Sequence, residues 1–308
     1  MKTKITICIL VSCPSPELSK TIKSLFFADE ILVGYTNFQF ISHLPNNIKS
    51  ISVGQNDLSA SRNHIVAQAK NDMCFWLEPD EVVASGTELL DNITNKCYFC
   101  QRLESNIVTK PIRIHPKTVK WENPIFETLN VKAEFLDVLL VGKKTIADHS
   151  SSTKTWIEQY PALPSTYYYH AYALLSRGRY DEFLHYAQHY LFLEPTGTAA
   201  IMTRYHIGII ELYKNSKSKL AGQIAAGCLI YNPLMAEFWC LLADAYFKAG
   251  QNEKALLFYE NAILLGKQRK GGDEWPIDLD KYGVYPKKMI ETIKLTLAER
   301  STFMQLPF

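Results

Sequence analysis

Three carboxylates stand within four residues at Glu78-Pro79-Asp80-Glu81, directly behind the apolar run Met73-Cys74-Phe75-Trp76-Leu77. Acid groups this close repel one another, so the cluster costs free energy unless a cation neutralises it. Carboxylate oxygens are also the ligands that a hard divalent cation takes. The alternative is a solvated acidic cap that starts a helix over 82–90. A second candidate, Cys97-Tyr98-Phe99-Cys100, has neither a second cysteine pair nor a nearby histidine, so it is read as neither a zinc nor a redox site. Lys267-Gln268-Arg269-Lys270 is a short basic run, most simply a helix C-terminus that favours cations. The run Tyr167-Tyr168-Tyr169-His170 offers a binding surface, although half of it must pack inside a helix pair.

The elements that hold the acid cluster follow from apolar periodicity. Ile5–Val11 is a β-branched run that predicts a buried strand, and 14–27 follows with helical spacing at Leu18, Ile22, Leu25 and Phe26. Glu30–Tyr35 and 48–53 read as two more strands, and 59–70 as a helix with a serine cap. Met73–Leu77 is a fourth, buried strand. Strands alternating with helices predict an α/β domain with a mostly parallel sheet under covering helices, and ligands of such sheets bind beyond the carboxyl ends of the strands. From Cys97 to Val141 the pattern is irregular and strand-rich, which suggests an antiparallel excursion.

The second half is all-α. Starts at Pro164, Met202 and Ala236 align a repeated pattern: Tyr167, His170, Ala171, Leu174, Gly178, Phe183, Ala187, Tyr190 and Pro195, then Tyr205, Gly208, Ile209, Leu212, Ser216, Ala221, Ala225, Cys228 and Pro233, then Trp239, Leu242, Ala243, Tyr246, Gly250, Ala255, Tyr259 and Ala262. This resembles the tetratricopeptide repeat, with a small insertion between the first two units. Small residues at Ala171, Ala243 and Ala255 let helices approach, while Trp239 and Tyr246 fill the space between repeats. The expected domains are 1–153 and 154–308, with repeats near 164–197, 202–235 and 236–267 and a terminal helical segment.

Composition bounds the function. Hydrophobic residues at 47% and charged residues at 21% exclude wholesale disorder, and a formal net charge of +2 argues against a chain that lives on phosphate-backbone contacts. Seven cysteines in a long chain read as reduced thiols. The first apolar stretch is short for a signal core and no run is long enough for a membrane span, so a soluble, cytoplasmic protein is expected.

Several segments resemble one family. Residues 5–37 are similar to the opening of a family-2 glycosyltransferase of the GT-A fold: strand, helix, then a strand after Ala28-Asp29-Glu30. Asn56-Asp57-Leu58-Ser59-Ala60-Ser61-Arg62-Asn63 resembles that family's Asp-Phe-Ser-x-x-Arg-Asn segment, and 75–82 resembles its Asp-x-Asp strand end. Arg113-Ile114-His115, followed by Trp121 to Glu127, is similar to its acceptor-side stretch. A bacterial branch that includes sublancin-type peptide S-glycosyltransferases adds C-terminal tetratricopeptide repeats. Trp275-Pro276 and Tyr282 to Pro286 sit where that branch often has a Tyr/Pro-rich segment before a last helix.

The resemblance implies a metal-dependent glycosyltransferase, inverting as that family mostly is, with a nucleotide-sugar donor (a UDP-sugar first) and a peptide, protein or glycan acceptor held by the repeats. It implies Mn2+ or Mg2+ on Asp80, with His149 completing the shell, as a Lewis acid for the departing diphosphate. Glu78 would contact donor ribose or sugar, with Ser12, Arg62, Asn63 and Glu81 also at the nucleotide-sugar. Glu127 would be the general base. The family's base-contacting Asp is replaced here by Gly34-Tyr35-Thr36-Asn37, leaving Tyr35 to stack on the base and Asn37 to hydrogen-bond it. That replacement, Glu78 in place of Asp, and Phe126 in place of His carry a second reading: a degenerate GT-A scaffold with a protein-binding repeat domain. A transferase acting on a modified DNA base is a third, which the near-neutral charge does not support.

Overall fold

Every residue of β1 (Ile5–Val11) is buried, because the strand is paired in parallel on both edges and covered on both faces. Ile7, Ile9 and Val11 enter one apolar cluster with Leu18, Val33, Phe75 and Leu77, while Cys8 and Leu10 enter another with Leu32, Ile65, Val66 and Trp76. Alternate side chains of a strand point to opposite faces, so a run without polar interruptions is what a two-sided core requires. The computed structural model describes residues 2–42, 44–45, 48–54, 57–122, 129, 131–142, 150–269, 273 and 275–304.

The chain divides into two compact units, Met1–Ala147 and Asp148–Phe308. The first is mixed α/β. After β1 come α1 (Leu18–Lys23), β2 (Glu30–Tyr35), β3 (Lys49–Ser52), α2 (Leu58–Ala67) and β4 (Met73–Leu77), then β5 (Glu81–Ser85), β6 (Cys97–Glu104), β7 (Ile107–Thr109), β8 (Ile112–Pro116) and β9 (Ala133–Gly142). The sheet order is β7-β6-β8-β4-β1-β2-β3. Strands β3, β2, β1 and β4 are parallel, β8 joins β4 antiparallel, and β9 lies parallel to β6 and antiparallel to β5. Gly34 lets α2 seat on β2: a Cβ there would stand 2.1 Å from Ile65 Cδ1.

Three local expectations are corrected. Helix α1 has 6 residues rather than the longer run expected over 14–27. Helix α2 is capped by Asp57, whose Oδ1 accepts from the Ala60 N–H at 2.8 Å, and not by Ser59. Residues following the acid cluster form strand β5, so the helical cap over 82–90 is excluded.

The second unit is a run of helices that pack on their sequence neighbours: α3 (Ser150–Gln159), α4 (Pro164–Leu175), α5 (Tyr180–Leu193), α6 (Thr198–Tyr213), α7 (Ser218–Tyr231), α8 (Ala236–Lys248), α9 (Asn252–Gly266) and α10 (Val284–Met304). Because α3 already belongs to it, the division falls a few residues before the expected boundary at 153/154. Small repeat positions are where helices meet: Ala171, Ala187, Ala221, Ala225, Ala243, Ala255 and Ala262 have no exposed surface. The insertion between the first two repeats is one extra helical turn. Helix α6 has 16 residues against 12 in α4 and 13 in α8, and it starts at Thr198, ahead of the aligned Met202. No helix among the described residues is long and apolar enough to cross a membrane.

Candidate functional site

The parallel strands bring the candidate residues to one edge. Val11 pairs with Tyr35, and Ile9 pairs with Leu77, so Ser12, Tyr35 and Glu78 all stand at the carboxyl ends of neighbouring strands. The chain runs from β1 outward through β2 to β3, then returns to place β4 on the other side of β1. Open α/β sheets bind ligands beyond the carboxyl ends of the strands at such a switch point, which here falls between β1 and β4. Ser12 follows β1 there and the Glu78-Pro79-Asp80 turn follows β4. The turn is tied to the segment after β1, since the Thr21 and Ser15 hydroxyls donate to the Pro79 carbonyl at 2.9 and 3.2 Å.

The acid cluster is neutralised by arginines. Glu78 Oε1 accepts from Arg113 Nη1 at 3.0 Å and from Arg62 Nη2 at 3.1 Å. Glu81 Oε1 accepts from Arg113 Nη2 and Arg102 Nε, both at 2.6 Å, while its Oε2 accepts the Glu78 N–H at 2.9 Å. Arg102 also pairs with Glu104. Burial alone would raise the Glu78 carboxyl, but the Arg62 and Arg113 guanidiniums outweigh it and lower it to about 2. Burial by itself would lower Arg113, yet Glu81 and Glu78 hold it above the ordinary guanidinium range. Glu78 is thus fixed as a carboxylate, with 33% of its side chain open to solvent.

A second layer fixes the arginines. The Arg62 guanidinium carbon lies 4.5 Å from the Trp76 ring centre and 4.7 Å from that of Trp121, between two π faces. Asn63 clamps the Trp121 main chain, donating from Nδ2 to its carbonyl and accepting its N–H on Oδ1, both at 2.9 Å. His115 sits edge-on to Trp121, its Nδ1 at 2.8 Å from the Pro116 carbonyl, and burial lowers its pKa to about 4, so it is neutral at physiological pH.

The remaining site candidates are placed as follows. Glu81 is 0% exposed and both its oxygens are taken, so it anchors Arg113 and Arg102. Asn63 is spent on Trp121, and Arg62 is buried beneath Glu78. Asn37 is exposed and its Oδ1 accepts from the Gln39 N–H at 3.0 Å, capping a short turn; Tyr35 is half-buried, edge-on to Phe38. Asp80 sits half-buried in the turn between β4 and β5. Glu127, His149 and Phe126 lie outside the described residues.

Of the three clustered carboxylates, Glu78 and Glu81 already serve guanidiniums; of the two expected metal ligands, Asp80 stands in the turn after β4 and His149 lies outside the described residues. Among the described residues no three His, Cys, Asp or Glu side chains converge as ligands. Arg113 and Arg102 were missed as partners of the cluster. The signal for Arg113 was present, since Arg113 and His115 alternate with Ile112 and Ile114 and so share one face of a strand.

Other sequence candidates resolve simply. Cys97 and Cys100 are three apart on strand β6 and so point to opposite faces; burial pushes the Cys100 thiol up to about 12. Tyr167 and His170 are buried within the helix pair, with Tyr168 and Tyr169 half-buried. Arg269 is no solvated helix end: it is buried and donates to the Trp275 and Pro276 carbonyls at 2.8 and 3.2 Å.

No protein-family model and no curated protein matches the chain. Among solved structures, it is similar to MamA 41-end from Desulfovibrio magneticus RS-1, at 24% identity over 49% of this chain and 84% of that one, with a TM-score of 0.36. PcrH from Pseudomonas aeruginosa is 12% identical over 42% of this chain and 91% of its own, with a TM-score of 0.36. The APC/C hetero-tetramer Cut9-Hcn1 is 14% identical over 49% of this chain and 27% of its own, with a TM-score of 0.39. At these scores the likeness assigns no family.

Proposed function

We propose that the first unit binds a nucleotide-sugar beyond the carboxyl ends of β1 and β4 and transfers its sugar to a peptide, protein or glycan acceptor recruited by the tetratricopeptide-like helix pairs. The observation that carries this is Glu78, a carboxylate locked in its ionised form by two buried arginines at the switch point of the sheet. A pre-oriented, permanently charged acceptor of hydrogen bonds suits the vicinal hydroxyls of ribose or sugar, which is the use that dinucleotide sites make of an acidic residue at a strand end. The sheet order β3-β2-β1-β4 with an antiparallel neighbour supports a GT-A-like arrangement. Ser12 and Tyr35 supply the rest of the rim, with Tyr35 offering a ring to a base.

In this reading Glu78 binds and orients the donor and cannot act as a proton donor near neutrality, since its carboxyl titrates near 2. Proton removal from the acceptor falls to another group, Glu127 by resemblance. Glu127→Gln keeps size and removes the base, so transfer should drop by something on the order of 10²–10⁴ while donor affinity is retained. Transfer within a factor of a few of wild type would move the base elsewhere.

A second reading, a binding module on a retained transferase scaffold, is favoured by one observation: the acid cluster is balanced internally by Arg62, Arg102 and Arg113 and so needs no metal for stability.

A further inference from the structure

Helix α5 buries Phe183, Ala187 and Tyr190 against α4 and α6. His185, His189 and Phe192 each stand two residues further on, about 200° around the helix, and all three are exposed. Phe192 is 83% exposed. The same place in the next two repeats is filled by Ile230 near the end of α7, 82% exposed, and by Leu264 near the end of α9, 62% exposed. Leu257 stands in α9 where His185 stands in α5, and it is exposed too. The remaining places hold Gln223, Gly227 and Asn261. No Asp, Glu, Lys or Arg falls at any of these positions, in a chain of which 21% is charged. The outward face of a surface helix is ordinarily its charged face, and large apolar side chains exposed in register mark a contact surface.

Two features of this face select a second copy of the chain as its occupant. A twofold contact sets a patch against itself, so a formal charge within it meets its own like; a face without charge carries no such penalty. The histidines supply the second feature. His185 and His189 are four apart on α5, so they stand one above the other on one side of the helix, a spacing that lets both bind one metal ion. The His189 ring is stacked on Tyr167 with ring centres 4.2 Å apart, which fixes its plane. Imidazole is a ligand for zinc, and a closed zinc site takes four ligands in a tetrahedron. Among the described residues no third His, Cys, Asp or Glu of the same chain joins the pair. One copy therefore supplies half of such a site, and a twofold axis beside α5 supplies the other half.

We infer that the outward face of α5, α7 and α9 is a contact between two copies of this chain, with His185 and His189 of each copy holding one Zn2+ ion across the axis. Phe192, one turn beyond His189, packs beside the ion and keeps water from it, while Ile230 and Leu264 extend the apolar contact along the repeats. This goes beyond the transferase reading and is independent of the chemistry of the first unit. A metal that binds only the paired form shifts the equilibrium toward it by mass action.

The test is sedimentation velocity of the full-length chain in Zn2+ and in EDTA, with bound zinc measured by equilibrium dialysis. Zinc should tighten the dimer by about tenfold or more. His185→Ala/His189→Ala should abolish that response and lose one bound ion per two chains; the other histidines and the cysteines remain, so the loss assigns the ion to this pair. Phe192→Ser should weaken the dimer in zinc. These positions are exposed, so the variants should melt as wild type does; should the double variant not, His185→Gln alone removes one ligand and decides the same question. A mass that does not change with zinc, a zinc response retained in the histidine variants, or one ion lost per single chain overturns the inference. Binding to phosphatidylcholine vesicles by a chain that stays monomeric in zinc also overturns it and makes the row a membrane-facing surface.

Discussion

At the residue scale, Glu78 turns a cluster that looks like a cation site into a carboxylate held by guanidiniums. Its charge state carries a stability signature. The folded carboxyl sits at about 2, against roughly 4.3 for an unperturbed glutamate. A depressed pKa means that the unfolded chain takes up the proton first as pH falls. The stabilisation is therefore full above about 4.3 and is lost as pH drops toward 2. Other carboxylates titrate in the same window, so the useful quantity is the difference in unfolding free energy between wild type and Glu78→Gln. That difference should be constant from neutral pH to about 5 and shrink steadily below it. A flat difference down to the lowest measurable pH would show that Arg62 and Arg113 do not hold the carboxylate. The acid cluster was legible in sequence because its members are adjacent. Its counter-charges were not, because Arg102 reaches Glu81 across 21 positions and Arg113 reaches Glu78 across 35. Charge balance at that separation is set by strand order, which periodicity does not specify.

At the element scale, the strands of the parallel half and the helix pairs were legible because each has an uninterrupted apolar period. Ends and short elements were not. Asp57 takes the cap from Ser59, two residues later, because its side chain accepts the Ala60 N–H, and β5 forms because β9 offers it an edge, a partner more than fifty residues away. Repeat register also explains one strained residue. Gly178, Ser216 and Gly250 occupy the same position in the three repeats, between the paired helices, and all have positive φ, at 70°, 56° and 74°. Glycine accepts this region at no steric cost, and serine does not. Ser216→Gly should therefore raise stability by about 1 kcal/mol, read as a higher urea midpoint at unchanged m-value. A lower midpoint would mean that the Ser216 side chain contributes more than its backbone costs.

At the scale of the whole molecule, the chain comprises a mixed α/β unit, with one fixed carboxylate at the switch point of its sheet, and a unit of successive packed helices. The division was legible from the loss of strand signal after residue 150. The charge logic of the switch point depends on side chains gathered from α2, β4, β6 and β8, and only the assembled sheet brings them together. The most direct measurement is calorimetric titration of the full-length chain with a panel of nucleotide-sugars, with and without manganese. At least one of them, a UDP-sugar first, should bind saturably, and Glu78→Gln should weaken that binding about tenfold or more while the protein still melts cooperatively, since a hydrogen bond to a charged group is worth roughly 1.5–3 kcal/mol. A correctly folded chain that binds no nucleotide-sugar under either condition would contradict the assignment of the switch point as a donor site.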